Sequence, residues 1–220
     1  MTRDLQSARR GPENARQVVV FLHGYGADGA DLLGLADPMA PHLPDTAFYA
    51  PDAPEPCANN PMGRQWFPIP WLDGSTEAQA RASMAASIDD LNGFLDTVLQ
   101  AEGLGADRLA VVGFSQGTMM ALHVLPRRDE AVAAIVAFSG RLLEPELLSG
   151  EARVRPPVLL IHGDADPMVP YADMQLAGDA LSAAGFETYA HTMRGTGHGI
   201  APDGLSVALG FLRQRFGMGD

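Results

Sequence analysis

Short, almost wholly apolar runs alternate along the chain with longer stretches in which apolar residues return every three or four positions. The runs at 17–22, 46–50, 108–114, 132–138, 158–162 and 188–192 predict strands, and the stretches at about 31–40, 76–101, 116–125, 172–184 and 205–216 predict helices. Most of the strand runs do not alternate polar with apolar, as expected when both faces of a sheet are covered. The order strand, helix, strand therefore predicts an α/β fold with a mostly parallel central sheet and helices on both faces. Local punctuation agrees. Thr76 and Gln79 have capping-box spacing, Gly103 and Gly105 offer left-handed stops after the longest helix, and Pro126 closes the third.

The pattern breaks between Pro51 and Gly74, where six prolines (51, 54, 56, 61, 68 and 70) accompany Trp66, Phe67 and Trp71. A loop this long without its own secondary structure is uncommon in a compact domain and is usually functional. Residues 1–16 read as a polar, arginine-bearing extension before the first strand. With no repeat, linker or low-complexity tract, residues 1–220 read as a single domain.

Composition removes several functions. Twenty-seven acidic against 15 basic residues give a formal charge of −12, which disfavours nucleic acid and anionic membranes as partners. All the basic residues are arginine, so lysine Schiff-base chemistry and a Walker-type phosphate lysine are excluded. The single cysteine, Cys57, cannot form an internal disulfide, and its proline- and asparagine-rich surroundings give no reason for a lowered thiol pKa. No signal-like apolar segment follows the N-terminal arginines, and no run approaches the roughly 20 apolar residues of a membrane helix, so a cytoplasmic location is expected.

The strongest chemical signal is Gly113-Phe114-Ser115-Gln116-Gly117, a G-x-S-x-G between a predicted strand and a predicted helix. A serine on so sharp a turn needs small residues two positions either side, and the turn presents its hydroxyl at a helix N-terminus. A nucleophilic serine also needs a base and an acid to orient it, in the chain order Ser, Asp or Glu, His. Of the later histidines, His162 and His191 lie in strand runs and read as structural, whereas His198 lies in the glycine-rich loop 195–199. Asp164 and Asp166 compete for the acid; Asp166 is favoured, with Asp164 expected to fix the turn through backbone N–H groups. An Asp-x-Asp can also hold Mg²⁺, but a phosphatase of that kind asks for a basic phosphate clamp. No metal or cofactor is expected. The oxyanion hole is expected from the amides of Gln116 and of Tyr25, which follows the first strand.

A rival reading starts from the same early loop. Gly24-Tyr25-Gly26-Ala27-Asp28-Gly29 fits G-x-G-x-x-G, with Asp52 after the next strand, as in a nicotinamide-dependent oxidoreductase. That reading leaves Ser115, Asp166 and His198 without a role, and 220 residues are short for a cofactor domain plus a substrate domain.

Four segments taken together, 21–26, 113–118, 162–170 and 197–198, resemble the landmarks of the carboxylesterase/phospholipase family of α/β-hydrolases that includes the acyl-protein thioesterases. The resemblance spans about residues 17–216. It implies Ser115 as nucleophile, Asp166 and His198 as its partners, and Tyr25 and Gln116 amides as the oxyanion hole. It further implies an α/β-hydrolase fold without a separate cap domain, acting on short to medium acyl esters, lysophospholipids or acyl thioesters. Two departures alter the pocket rather than the chemistry: Tyr25 stands where leucine is common, and Trp66-Phe67 runs on into Pro68-Ile69-Pro70-Trp71. Trp66, Phe67, Trp71 and Leu72 are expected to wall an apolar cleft for a small-molecule ester. The proline-aromatic loop also leaves room for a homodimer that partly covers it.

Overall fold

A computed structural model describes residues 2–219. Its strands are β1 (Ser7–Arg10), β2 (Gln17–Leu22), β3 (Thr46–Pro51), β4 (Glu55–Cys57), β5 (Asn60–Gln65), β6 (Leu109–Phe114), β7 (Ala134–Phe138), β8 (Val158–Gly163) and β9 (Thr188–Met193). Its helices are α1 (Gly29–Leu33), α2 (Ala36–Met39), α3 (Pro70–Asp73), α4 (Glu77–Glu102), α5 (Gln116–Val124), α6 (Pro145–Glu151), α7 (Ala172–Ala183) and α8 (Pro202–Arg215). Seven strands form one sheet in the order β1-β3-β2-β6-β7-β8-β9. All neighbours in it run parallel except β1, which is antiparallel to β3.

The two faces of β2 show why a run without alternation makes a strand here. Val18, Val20 and Leu22 belong to the same core layer as Leu91 and Leu95 of α4, Met120 of α5 and Leu181 of α7. Val19 and Phe21 belong to the core layer on the opposite side, with Leu33 of α1, Met39 of α2 and Leu212 of α8. Every β2 residue is buried, so the apolar run specifies a central strand between two helical layers. The expected α/β-hydrolase arrangement is present, with no separate cap among the described residues.

Several elements differ from the sequence expectation. The polar segment 1–16 contributes β1, an edge strand held by backbone pairing, with all four residues exposed. Residues 51–74 are not free of secondary structure: β4 and β5 form a separate two-stranded hairpin, and α3 adds one turn. The helix expected at 31–40 is split into α1 and α2, because the Pro38 ring would clash with the Gly34 carbonyl in one continuous helix. α6 fell outside every predicted helix. α4 begins with the expected capping box at Thr76 and Gln79 and ends at Gly103 in the left-handed region.

One buried group makes the core sensitive to acid. His123 on α5 is buried and its Nδ1 has no partner among the described residues. Burial, aided by Arg127, lowers its pKa to about 4. In the unfolded chain the imidazole takes a proton below its ordinary pKa of 6.5, while the folded chain resists until about 4, so stability falls as pH drops through that window. The expected loss from this residue is roughly 2 kcal/mol over the window. Urea unfolding of wild type and His123→Leu at several pH values checks it: the variant's stability should decline less on acidification, and parallel declines would refute the assignment.

Candidate active site

Ser115 caps the C-terminal end of β6 and the start of α5 with φ 54° and ψ −114°, a conformation that L residues rarely adopt. Glycine at positions 113 and 117 makes that turn possible. A Cβ on Gly113 would lie 2.6 Å from the Thr118 backbone, and one on Gly117 only 1.9 Å from the Leu22 carbonyl oxygen. α5 is thereby pressed onto the end of β2 with the serine at its N-terminus. On the other side of the serine, a Cβ on Gly24 would lie 3.2 Å from Ser115 Cβ, so the loop after β2 packs directly against the nucleophile candidate.

Asp166 follows β8 and His198 follows β9, and both loops reach back to Ser115. His198 Nε2 lies 3.0 Å from Ser115 Oγ, and His198 Nδ1 lies 2.7 Å from Asp166 Oδ2. The two loops are joined backbone to backbone: Ala165 N–H donates to the Thr196 carbonyl at 3.1 Å, and Gly163 leaves no space for a Cβ against Thr196 and Gly197. Oδ1 of Asp166 accepts from the Met168 and Val169 amides at 2.8 and 3.0 Å. Burial by itself would raise the Asp166 pKa, but the bond from His198 and these two amides outweigh it and hold the carboxyl below the usual carboxylate range. An ionised Asp166 fixes a proton on His198 Nδ1 and leaves Nε2 free to accept the serine proton.

The other titratable groups have bonding partners of their own. Asp164 accepts from the Gly195 amide at 2.6 Å, so the two aspartates point to different partners rather than to a shared cation. His162 is buried and bonded to the Val169 carbonyl, and His191 pairs with Asp203 at 2.9 Å. The glycine loop at 24–29 is filled by the protein's own groups: Asp52 accepts from the Gly29 amide, and a Cβ on Gly29 would meet the Ala50 carbonyl at 2.3 Å. Asp52 Oδ1 and the Gly29 amide at the start of the five-residue α1 thus satisfy each other.

Ser115, Gln116, Tyr25 and His198 open into a cleft of about 610 Å³. Phe67, Trp71 and Leu72 line it, together with Met84, Met119 and Leu143. Trp66 does not. It is fully buried, and its indole N–H donates to the His23 carbonyl at 3.0 Å. Large, flat and supplied with an internal acceptor, Trp66 fills the core beneath the cleft instead of walling it. His23 is buried as well, and burial lowers its pKa; Nδ1 faces the Gly24 carbonyl while Nε2 accepts from the Ala53 amide. Neither the Tyr25 nor the Gln116 amide meets a backbone acceptor among the described residues, so both can donate to a bound oxygen.

Two side chains were missed. The Gln116 carboxamide accepts from the Trp66 amide at 2.8 Å and donates to the Phe67 carbonyl at 2.7 Å, tying the long loop to the residue beside Ser115. The Phe114 ring lies 4.9 Å from the His198 ring and buttresses it. Their one sequence signal was adjacency to Ser115 within the motif.

Residues 6–215 match the family model described as Phospholipase/Carboxylesterase. The chain belongs to the phospholipase/carboxylesterase family. Membership supports a hydrolase acting on esters. Among relatives of this family, Esterase YpfH of Escherichia coli (strain K12) is 31% identical over 203 residues, covering 90% of this chain and 83% of that protein. Acyl-protein thioesterase 1 of Neurospora crassa is 30% identical, covering 90% and 86%. The crystal structure of esterase PE8 superposes with a TM-score of 0.90 at 41% identity, covering 96% of this chain and 99% of that one. That of Zea mays acyl-protein thioesterase 2 gives a TM-score of 0.77 at 25% identity, covering 96% and 99%. No helix among the described residues is long and apolar enough to cross a membrane.

Proposed function

We propose that this family member is a carboxylesterase that cleaves small-molecule esters of short to medium acyl chains through an acyl-serine intermediate. The observation that carries the reading is the hydrogen-bonded series Asp166, His198, Ser115 opening into the apolar cleft. His198 Nε2 takes the Ser115 proton as Oγ attacks the ester carbonyl, and Asp166 stabilises the resulting imidazolium. The developing oxyanion is held by the Tyr25 and Gln116 amides, with the start of α5 adding its positive dipole end. His198 then returns the proton to the leaving alcohol, and water activated by the same imidazole releases the acid. No cofactor takes part, and the site of action is the cytoplasm.

The names of the thioesterase relatives favour a second substrate class, since attack by Ser115 on a thioester uses the same groups. A fluorophosphonate ester tests the assignment. One label per chain is expected, on the peptide containing Ser115, with hydrolysis of p-nitrophenyl butyrate lost in proportion. Hydrolysis that survives full labelling, or a label elsewhere, overturns it. Comparing kcat/KM for a butyrate ester and a butyryl thioester ranks the two classes.

A further inference from the structure

The turn α3 carries two large apolar side chains on the cleft wall, yet Trp71 is 74% exposed and Leu72 38%. A four-residue helix with so little buried surface does not hold itself in place. Polar bonds hold it instead. Asp73 Oδ2 accepts from the Ile69 amide at 2.7 Å and from the Tyr25 hydroxyl at 3.3 Å, and Oδ1 accepts from the Ser75 amide at 3.0 Å. Asn59 Nδ2 adds a bond to the Leu72 carbonyl at 2.9 Å. Tyr25 is well suited to anchor the turn because its own loop is fixed independently: the Gly26 amide donates to Arg64, and Asn60 donates to the Gly26 carbonyl.

The donor and acceptor roles are fixed as well. Burial, the neighbouring Cys57 and the Asp73 charge raise the Tyr25 pKa, so its oxygen keeps the proton. Burial opposes ionisation of Asp73, but the bonds from Ser75, Ile69 and Tyr25 outweigh it and lower its pKa.

We propose that Asp73 is a positioning residue for specificity: by accepting from the Tyr25 hydroxyl it latches α3 to the loop that offers the oxyanion amide. The latch sets how closely Trp71 and Leu72 close on an acyl chain. This inference rests on the ester reaction at Ser115 proposed above.

Steady-state kinetics with p-nitrophenyl acetate and octanoate on wild type, Asp73→Ala and Tyr25→Phe test it. Tyr25→Phe should raise KM for octanoate about fivefold, the equivalent of one hydrogen bond's net contribution, and Asp73→Ala, which also loses the Ile69 and Ser75 bonds, at least as much. The Asp73→Ala kcat for acetate should stay within about twofold of wild type, because the short chain does not reach the wall. Trp66 is buried, so a fall in tryptophan anisotropy in both variants reports freer motion of Trp71. Octanoate KM and anisotropy at wild-type values in both variants overturn the proposal, as does an equal loss of kcat for the two esters. If Asp73→Ala does not fold, Tyr25→Phe still removes one oxygen from the latch. Absence of turnover in wild type defeats the reaction at Ser115 and with it the specificity role, whereas the anisotropy arm still decides the latch.

Discussion

Replacing Ser115 with alanine is expected to lower kcat for p-nitrophenyl butyrate by at least about 10,000-fold, with the thermal midpoint within about 2 °C of wild type. The two halves of this expectation have separate causes. Chemistry is lost because the alanine side chain offers His198 no proton and the carbonyl no nucleophile, leaving only the oxyanion donors and the cleft. Stability is retained because alanine meets the same left-handed backbone at φ 54° and fits the same space. Only one hydrogen bond, that to His198 Nε2, disappears, and it lies in a solvent-reached cleft. A pre-steady-state burst equal to the enzyme concentration in wild type and absent in the variant would complete the case. Equal turnover by the two proteins would remove Ser115 from the reaction.

Gly117→Ala should be the most damaging single-methyl substitution at the site. The added Cβ would lie 1.9 Å from the Leu22 carbonyl oxygen, 2.4 Å from its carbon and 2.8 Å from the His23 carbonyl oxygen. Every one of these is backbone of a fully buried strand or the residue after it, and none can swing aside as a flexible side chain would. Relief requires α5 to move off the sheet, at a cost of about 3 kcal/mol or more and a thermal midpoint lower by about 10 °C. The same movement pulls the Gln116 amide from the Tyr25 loop, so residual activity should fall as well. Differential scanning fluorimetry and kcat/KM on the soluble fraction measure both; a variant matching wild type in each contradicts the close packing of α5 on β2.

The parts of the molecule that were legible in the sequence are those whose cause is local. β2, β6 and β8 announce themselves because burial on both faces demands an unbroken apolar run, and the serine turn because its backbone demands glycine on either side. β1 was illegible for the opposite reason: Ser-Ala-Arg-Arg has no apolar run, pairs through main-chain groups that carry no residue code, and sends Arg9 to Tyr49 and Glu102, 40 and 93 positions away. The β4–β5 hairpin hid among prolines, whose ordinary meaning is loop. Trp66 was misplaced because an aromatic residue in a functional loop looks alike whether it faces a substrate or the core. Its burial depends on His23 and Gln116, residues 43 and 50 positions away, and no local pattern encodes that meeting. The Phe114 contact with His198 is of the same non-local kind.

The stitching of the β8 and β9 loops, set beside the separate hairpin and turn at 51–74, divides the site into parts that can change at different rates. The aspartate and histidine loops share backbone bonds and leave no room for a side chain where Gly163 meets Thr196. An insertion in either displaces the other. The opposite wall hangs from side-chain bonds made by Gln116, Asn59 and Asp73. A laboratory library aimed at new substrates therefore belongs in residues 67–73, where sequence can drift without touching the bonded series Asp166, His198, Ser115.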